Sequence, residues 1–229
     1  DPATTTTSTR VPTTSMAVAD TFSADGNRLL IIGDSILAST ARRYSDDMCE
    51  ALVPLGWRVE LDAESNRFIG FGNEVLSKRL SAGWDAAVIM LGNNYDGDAQ
   101  AYRSELERII ERLSPRPVVL LTVTEFRDDR REVNDVIRLI AATRERVYVA
   151  DWAASTEDAD DLLGFDGLHL TDRGRQEIAA LVADTVRTAP ERPGRCLGSD
   201  YTDDSDGPVD GGDDDTDATS GSTRPKTTV

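Results

Sequence analysis

Short apolar runs alternate with amphipathic stretches along most of this chain, and that alternation constrains the fold more than any other feature. Runs at 29–32, 57–61, 86–91, 118–123 and 147–150 have strand length. Helical patterns lie between them, near 36–53, 70–81, 98–113 and 129–143. A last helix is predicted from Thr171, a suitable N-cap, to about 188, with Ile178, Leu181, Val182 and Val186 on its apolar face. Strands that alternate with helices form a parallel sheet covered on both faces. The predicted class is therefore α/β with a five-stranded parallel sheet. In such sheets ligand sites form in the loops at the carboxyl ends of the strands.

The two ends of the 229-residue chain differ from its middle. Residues 1–27 are Thr-rich, with Thr4 to Thr7 in a row, and lack periodicity. Residues 198–229 hold nine aspartates against Arg224 and Lys226, which places −7 of the −17 net charge there. Neither end has enough apolar surface to offset the entropy of ordering it. The expectation is a disordered linker over 1–27, one folded domain over 28–197, and a disordered acidic tail over 198–229. The tail segment Asp203-Asp204-Ser205-Asp206-Gly207 has Thr202 where a calcium loop starts with a carboxylate, and no flanking helices, so it reads as solvated chain.

Excess acid argues against nucleic acid or an anionic membrane as partner. No stretch approaches the roughly 20 apolar residues that cross a bilayer, and no signal peptide is present. The chain opens on Asp1 and not on methionine, so it reads as a processed form or a piece of a longer protein. The Thr/Ser/Pro-rich start, Ala3 to Ser15, resembles a spacer between a membrane or wall anchor and an extracytoplasmic domain. Cys49 and Cys196 are either separate buried thiols or one disulfide joining the first long helix to the segment after the last; tails of secreted character favour the disulfide. One histidine and two distant cysteines do not make a zinc site, so no metal is expected.

That single histidine, His169, lies in Asp166-Gly167-Leu168-His169-Leu170, just before the last helix. Gly33-Asp34-Ser35 follows the first apolar run, and Gly92-Asn93-Asn94 follows the third. A serine nucleophile needs a base, and one imidazole is available. Asp166, three residues earlier, is close enough to orient that ring. These residues suggest Ser35 as nucleophile, His169 as base and then acid, and Asp166 as the group holding the tautomer. No Gly-x-Ser-x-Gly elbow is present.

Gly33-Asp34-Ser35-Ile36, Gly92-Asn93-Asn94 and the Asp166–His169 segment, in that order, resemble three sequence blocks of the SGNH (GDSL-type) hydrolases across about 28–190. The resemblance implies a flavodoxin-like three-layer α/β/α sandwich and ester chemistry without a cofactor. It also implies an oxyanion hole made by the Ser35 amide, the Asn94 side chain and one further backbone amide. The segment Asp62 to Phe68 is similar to that of SGNH domains in cell-surface O-acyltransferases, and puts Asn66 where the family often has glycine; Gly70 is the alternative donor. Tyr95 replaces the aspartate often found after the third block, a change expected at the pocket rim. Trp152 is a candidate for lining an acyl or sugar pocket, Trp57 and Trp84 for packing, and Arg67 for a structural partner or a polar substrate contact.

The expected activity is a serine esterase or O-acyltransferase acting on a short acyl ester, acetyl foremost, of a polysaccharide or peptidoglycan outside the cytoplasm. The rival is a catalytically silent carbohydrate-binding module that keeps the fold.

Overall fold

A computed structural model of the chain describes residues 21–159 and 161–201. Most of both expected tails, including the acidic segment after Thr202, lies outside the described residues. The elements are β1 (Arg28–Gly33), α1 (Ser35–Ala38), α2 (Asp47–Leu52), β2 (Arg58–Ala63), α3 (Gly70–Arg79), β3 (Ala86–Met90), α4 (Ala99–Leu113), β4 (Val118–Leu121), α5 (Arg130–Thr143), β5 (Val147–Ala150), α6 (Trp152–Thr156), α7 (Asp172–Val186) and β6 (Arg195–Cys196).

The sheet has six strands in the order β5-β4-β3-β1-β2-β6, every pair parallel. Five strands are those expected; β6 is a two-residue edge strand, too short to produce any periodicity in the sequence. The path from β1 to β2 runs one way along the sheet, and the path from β2 through β5 runs the other. Right-handed crossovers therefore put α1 and α2 on one face and α3, α4 and α5 on the opposite face. Contacts agree: α2 packs on α7, and α4 on both α3 and α5. The chain reverses direction between β1 and β3, and the ends of those two strands are where this topology opens a ligand crevice.

The central strands are apolar on both sides because helices cover both faces; Leu29 to Ile32 and Ala86 to Met90 are all buried. The single helical stretch expected at 36–53 is instead two short helices. Ser39 and Thr40 donate their hydroxyls back to the carbonyls of Ile36 and Leu37, and Asp46 takes a left-handed conformation (φ 63°), so the chain turns between them. Thr171 does cap α7, its hydroxyl accepting from Gly174 N–H. The packed body also extends past the expected bounds. Phe22 is buried against Trp57 and Tyr148, and Tyr201 packs edge-on against Phe71. Cys49 and Cys196 form a disulfide that fastens α2 to the β6 edge. Asp46 lies beside these sulfurs, which are bonded to each other and therefore are not metal ligands.

Candidate active site

Gly33 ends β1, and α1 begins two residues later. A Cβ on Gly33 would come within 2.6 Å of Leu37, so the sharp turn from strand to helix needs glycine there. Asp34 caps α1, accepting from Ile36 N–H at 3.1 Å. Ser35 is thereby the first helical residue, half-buried, at the carboxyl end of the sheet. The helix behind it is a single turn.

Asp34 also reaches sideways to the loop after β3. Its carboxyl accepts from Asn93 N–H (3.2 Å), from the Asn93 side-chain amide (3.0 Å) and from Gly92 N–H (3.5 Å). Complete burial pushes the Asp34 carboxyl up, against the lowering effect of these bonds. A Cβ on Gly92 would meet Val133 at 2.7 Å, so the loop sits tight on α5. The strands are parallel, so Ser35 and Asn94 leave neighbouring strands at the same edge.

The Asn94 side-chain amide donates to the Arg67 carbonyl at 3.1 Å, which fastens the loop after β3 to the loop after β2. That second loop carries Asn66 in the left-handed region, at φ 60°. Asparagine tolerates this conformation better than any other residue but glycine, which accounts physically for its standing at a position where glycine is often found. Gly70, the alternative, is the first residue of α3. Arg67 has structural partners: Glu64 pairs with its guanidinium, which also lies 4.8 Å from the Phe71 ring.

Asp166 and His169 are in direct contact. His169 Nδ1 donates to Asp166 Oδ2 at 2.6 Å, while Asp166 Oδ1 accepts from the backbone N–H groups of Leu168 and His169, each at 3.0 Å. The bond from the imidazole, reinforced by these two amides, holds the Asp166 carboxyl down at about 2. The ring therefore presents Nε2 as its free nitrogen. The turn is closed by Gly164 N–H donating to the His169 carbonyl at 2.6 Å and by an antiparallel bridge between Leu163 and Leu170. Among the described residues no hydrogen bond joins the Ser35 hydroxyl to the His169 ring.

An open cleft of about 380 Å³ is lined by Phe68, Asn94, Tyr95, Phe126, Arg127 and Leu168, which brings the Asn94 loop and the His169 turn to one surface. Phe126 also lines a second, larger cleft of about 600 Å³ with Gly167, Arg131, Arg138 and Asp151. Phe68 is half-exposed, and Phe165, next to Asp166, is fully so.

Tyr95 touches this cleft but is otherwise buried, its hydroxyl donating to Glu132 at 2.7 Å, so its role reaches further inward than the rim. Trp152 is fully buried and lines neither cleft; it is core, not pocket. Trp57 and Trp84 are packing residues as expected, their indole N–H groups donating to the Arg187 and Arg79 carbonyls. Sequence reasoning did not find Arg130. It is buried, and its guanidinium grips the Asn93 carbonyl. At the start of an amphipathic helix an arginine gives no sign of pointing inward.

No protein-family model and no curated protein matches the sequence. Solved structures do match the fold. The C-terminal catalytic domain of Streptococcus pneumoniae peptidoglycan O-acetyltransferase A superposes with a TM-score of 0.56 at 20% identity, over 72% of this chain and 92% of that one. A protein of Slackia heliotrinireducens assigned to the SGNH hydrolases gives 0.59 at 20%, over 71% and 100%. A family 3 carbohydrate esterase from Clostridium thermocellum gives 0.56 at 15%, over 69% and 94%. With its six-stranded parallel sheet and helices on both faces, the chain has the three-layer α/β/α fold of the SGNH hydrolases.

Proposed function

We propose that this protein is a serine esterase or O-acyltransferase that works through an acyl-Ser35 intermediate. The observation that carries this reading is the 2.6 Å bond from His169 Nδ1 to an Asp166 carboxylate that is itself held by two backbone amides. An imidazole fixed in that tautomer is suited to take a proton on Nε2.

The steps follow. His169 Nε2 removes the Ser35 hydroxyl proton as Oγ attacks the ester carbonyl carbon. The carbonyl π electrons move to oxygen, and the oxyanion is met by the Ser35 N–H, the Asn94 side-chain amide and the Asn66 N–H. Collapse breaks the bond to the alcohol oxygen, which leaves with the proton from His169. Water then attacks the acyl-Ser35 in hydrolysis, or a sugar hydroxyl in transfer, with His169 again the base and Ser35 the leaving group. No cofactor takes part.

The substrate class is a short acyl ester on a carbohydrate or cell-wall polymer. The clefts support it: both are open to solvent, Phe126 borders both, and Phe68 borders the smaller. The named activities of the structural neighbours support it too, as does the Thr-rich start, which suits a domain held outside the cytoplasm. No helix among the described residues is long and apolar enough to cross a membrane.

A fluorophosphonate probe tests the nucleophile. Labelling mapped by mass spectrometry to Ser35, and absent in His169→Ala, is the expected result. Folded protein that stays unlabelled would favour the silent carbohydrate-binding module.

A further inference from the structure

Arg130 is 3% exposed, and its guanidinium points inward at the loop after β3. Nε and Nη2 both donate to the Asn93 carbonyl, at 3.2 and 2.7 Å. Nη1 lies 2.9 Å from the Asp129 carboxylate, and the planar group lies 5.8 Å from the Tyr95 ring and 5.0 Å from the Phe126 ring. Taking a guanidinium out of water is costly, so a buried arginine is kept where several partners meet it at once. Here two of the three guanidinium nitrogens meet one carbonyl oxygen.

From the opposite side, Asp34 accepts from the Asn93 N–H and from its side-chain amide. Asn93, 4% exposed, is thus clasped between a carboxyl at the end of β1 and a guanidinium at the start of α5. The carbonyl that Arg130 holds belongs to the peptide joining Asn93 to Asn94. That unit is planar, so fixing its oxygen fixes the Cα of Asn94. The tip of the Asn94 side chain is fixed separately by the Arg67 carbonyl at 3.1 Å. A donor held at both root and tip needs no rearrangement when negative charge develops beside it, which is what oxyanion stabilisation requires.

We infer that Arg130 is a positioning residue: its two-pronged bond to the Asn93 carbonyl preorganises the Asn94 amide as an oxyanion donor. The inference rests on the acyl-serine reading above. Arg130 does not touch the reacting atoms; it acts through Asn93 and Asn94.

A double-mutant cycle with p-nitrophenyl acetate separates this role from simple support of the fold. In the whole chain, Asn94→Ala is expected to lower kcat by on the order of 10²–10³. Arg130→Met is expected to lower kcat at least about tenfold with KM nearly unchanged, the signature of an interaction used in the transition state. In the Asn94→Ala background the same substitution should change kcat less than about threefold, because the donor it positions is already gone. Arg130→Lys keeps the charge but offers a compact ammonium in place of the fork, and is expected to fall between. It carries the cycle alone if Arg130→Met does not fold. An Arg130 variant with wild-type kcat, or the same loss with and without Asn94, overturns the positioning role. Ser35→Ala run alongside keeps the two claims apart. If it retains full activity, the acyl-serine reading falls and this one with it; if it is dead while Arg130 variants are unaffected, only the positioning role falls.

Discussion

Asp166 holds His169 in one tautomer, and its carboxylate is ionised over any ordinary working pH, since it is held at about 2. An amide in its place would keep the shape but offer a donor where His169 Nδ1–H needs an acceptor. Asp166→Asn is therefore expected to lower kcat by on the order of 10⁴ while leaving the fold intact, measured by steady-state kinetics beside circular dichroism. A loss of less than about tenfold would remove Asp166 from its orienting role. This pair was legible because carboxylate and imidazole sit three residues apart, and one turn is enough to join them. The bond from the Asn94 side chain to the Arg67 carbonyl was not legible, because it links two loops 27 residues apart. Trp152 misled for the opposite reason: it follows β5 at the edge that carries the chemistry, yet it opens α6 facing the core. Position along the chain located that residue; its direction depended on tertiary packing.

Among the elements, β2 departs most from the pattern that predicted it. A strand inside a parallel sheet is expected to be apolar throughout, yet Glu60 and Asp62 are both buried. Arg79 reaches down from α3 to Glu60 at 2.5 and 2.7 Å, and the Ser199 hydroxyl, beyond β6, donates to Asp62. The short edge strand and the residues after it thus cover the polar side of β2, which is why the folded body runs past 197. Burial pushes the Asp62 carboxyl up to about 7, with Glu60 adding to the rise and Ser199 and Arg79 opposing it. An unfolded aspartate titrates near 3.9. Between about pH 4 and 7 the unfolded chain has shed a proton that the folded chain still holds, so this group makes the folded state progressively less stable as pH rises across that window. Above it the penalty is constant. Asp62→Asn removes the penalty, so the melting temperature of the variant relative to wild type should rise between about pH 4.5 and pH 8. A difference that stays flat over that range would contradict the raised carboxyl.

Over the whole molecule, five alternating apolar runs specified the parallel sheet, and the reversal between β1 and β3 explains why motifs far apart in sequence meet at one edge. The sixth strand and the disulfide were harder to read. A two-residue strand has no period, and Cys49 and Cys196, 147 residues apart, could also have been two buried thiols, with only the secreted character of the tails favouring the bond. The observed bond closes most of the domain into one loop, so its main effect is expected on the unfolded chain. Cys49→Ala/Cys196→Ala should lose on the order of 3–5 kcal/mol of stability in denaturant titration, and a loss below about 1 kcal/mol would show that β6 holds without it.

The most direct measurement of the central claim is the hydrolysis of p-nitrophenyl acetate by this chain beside Ser35→Ala. Release of p-nitrophenolate that vanishes in the variant, with the fold unchanged, is the predicted result and establishes Ser35 as the acyl carrier. Equal rates from the two proteins would contradict the acyl-serine account.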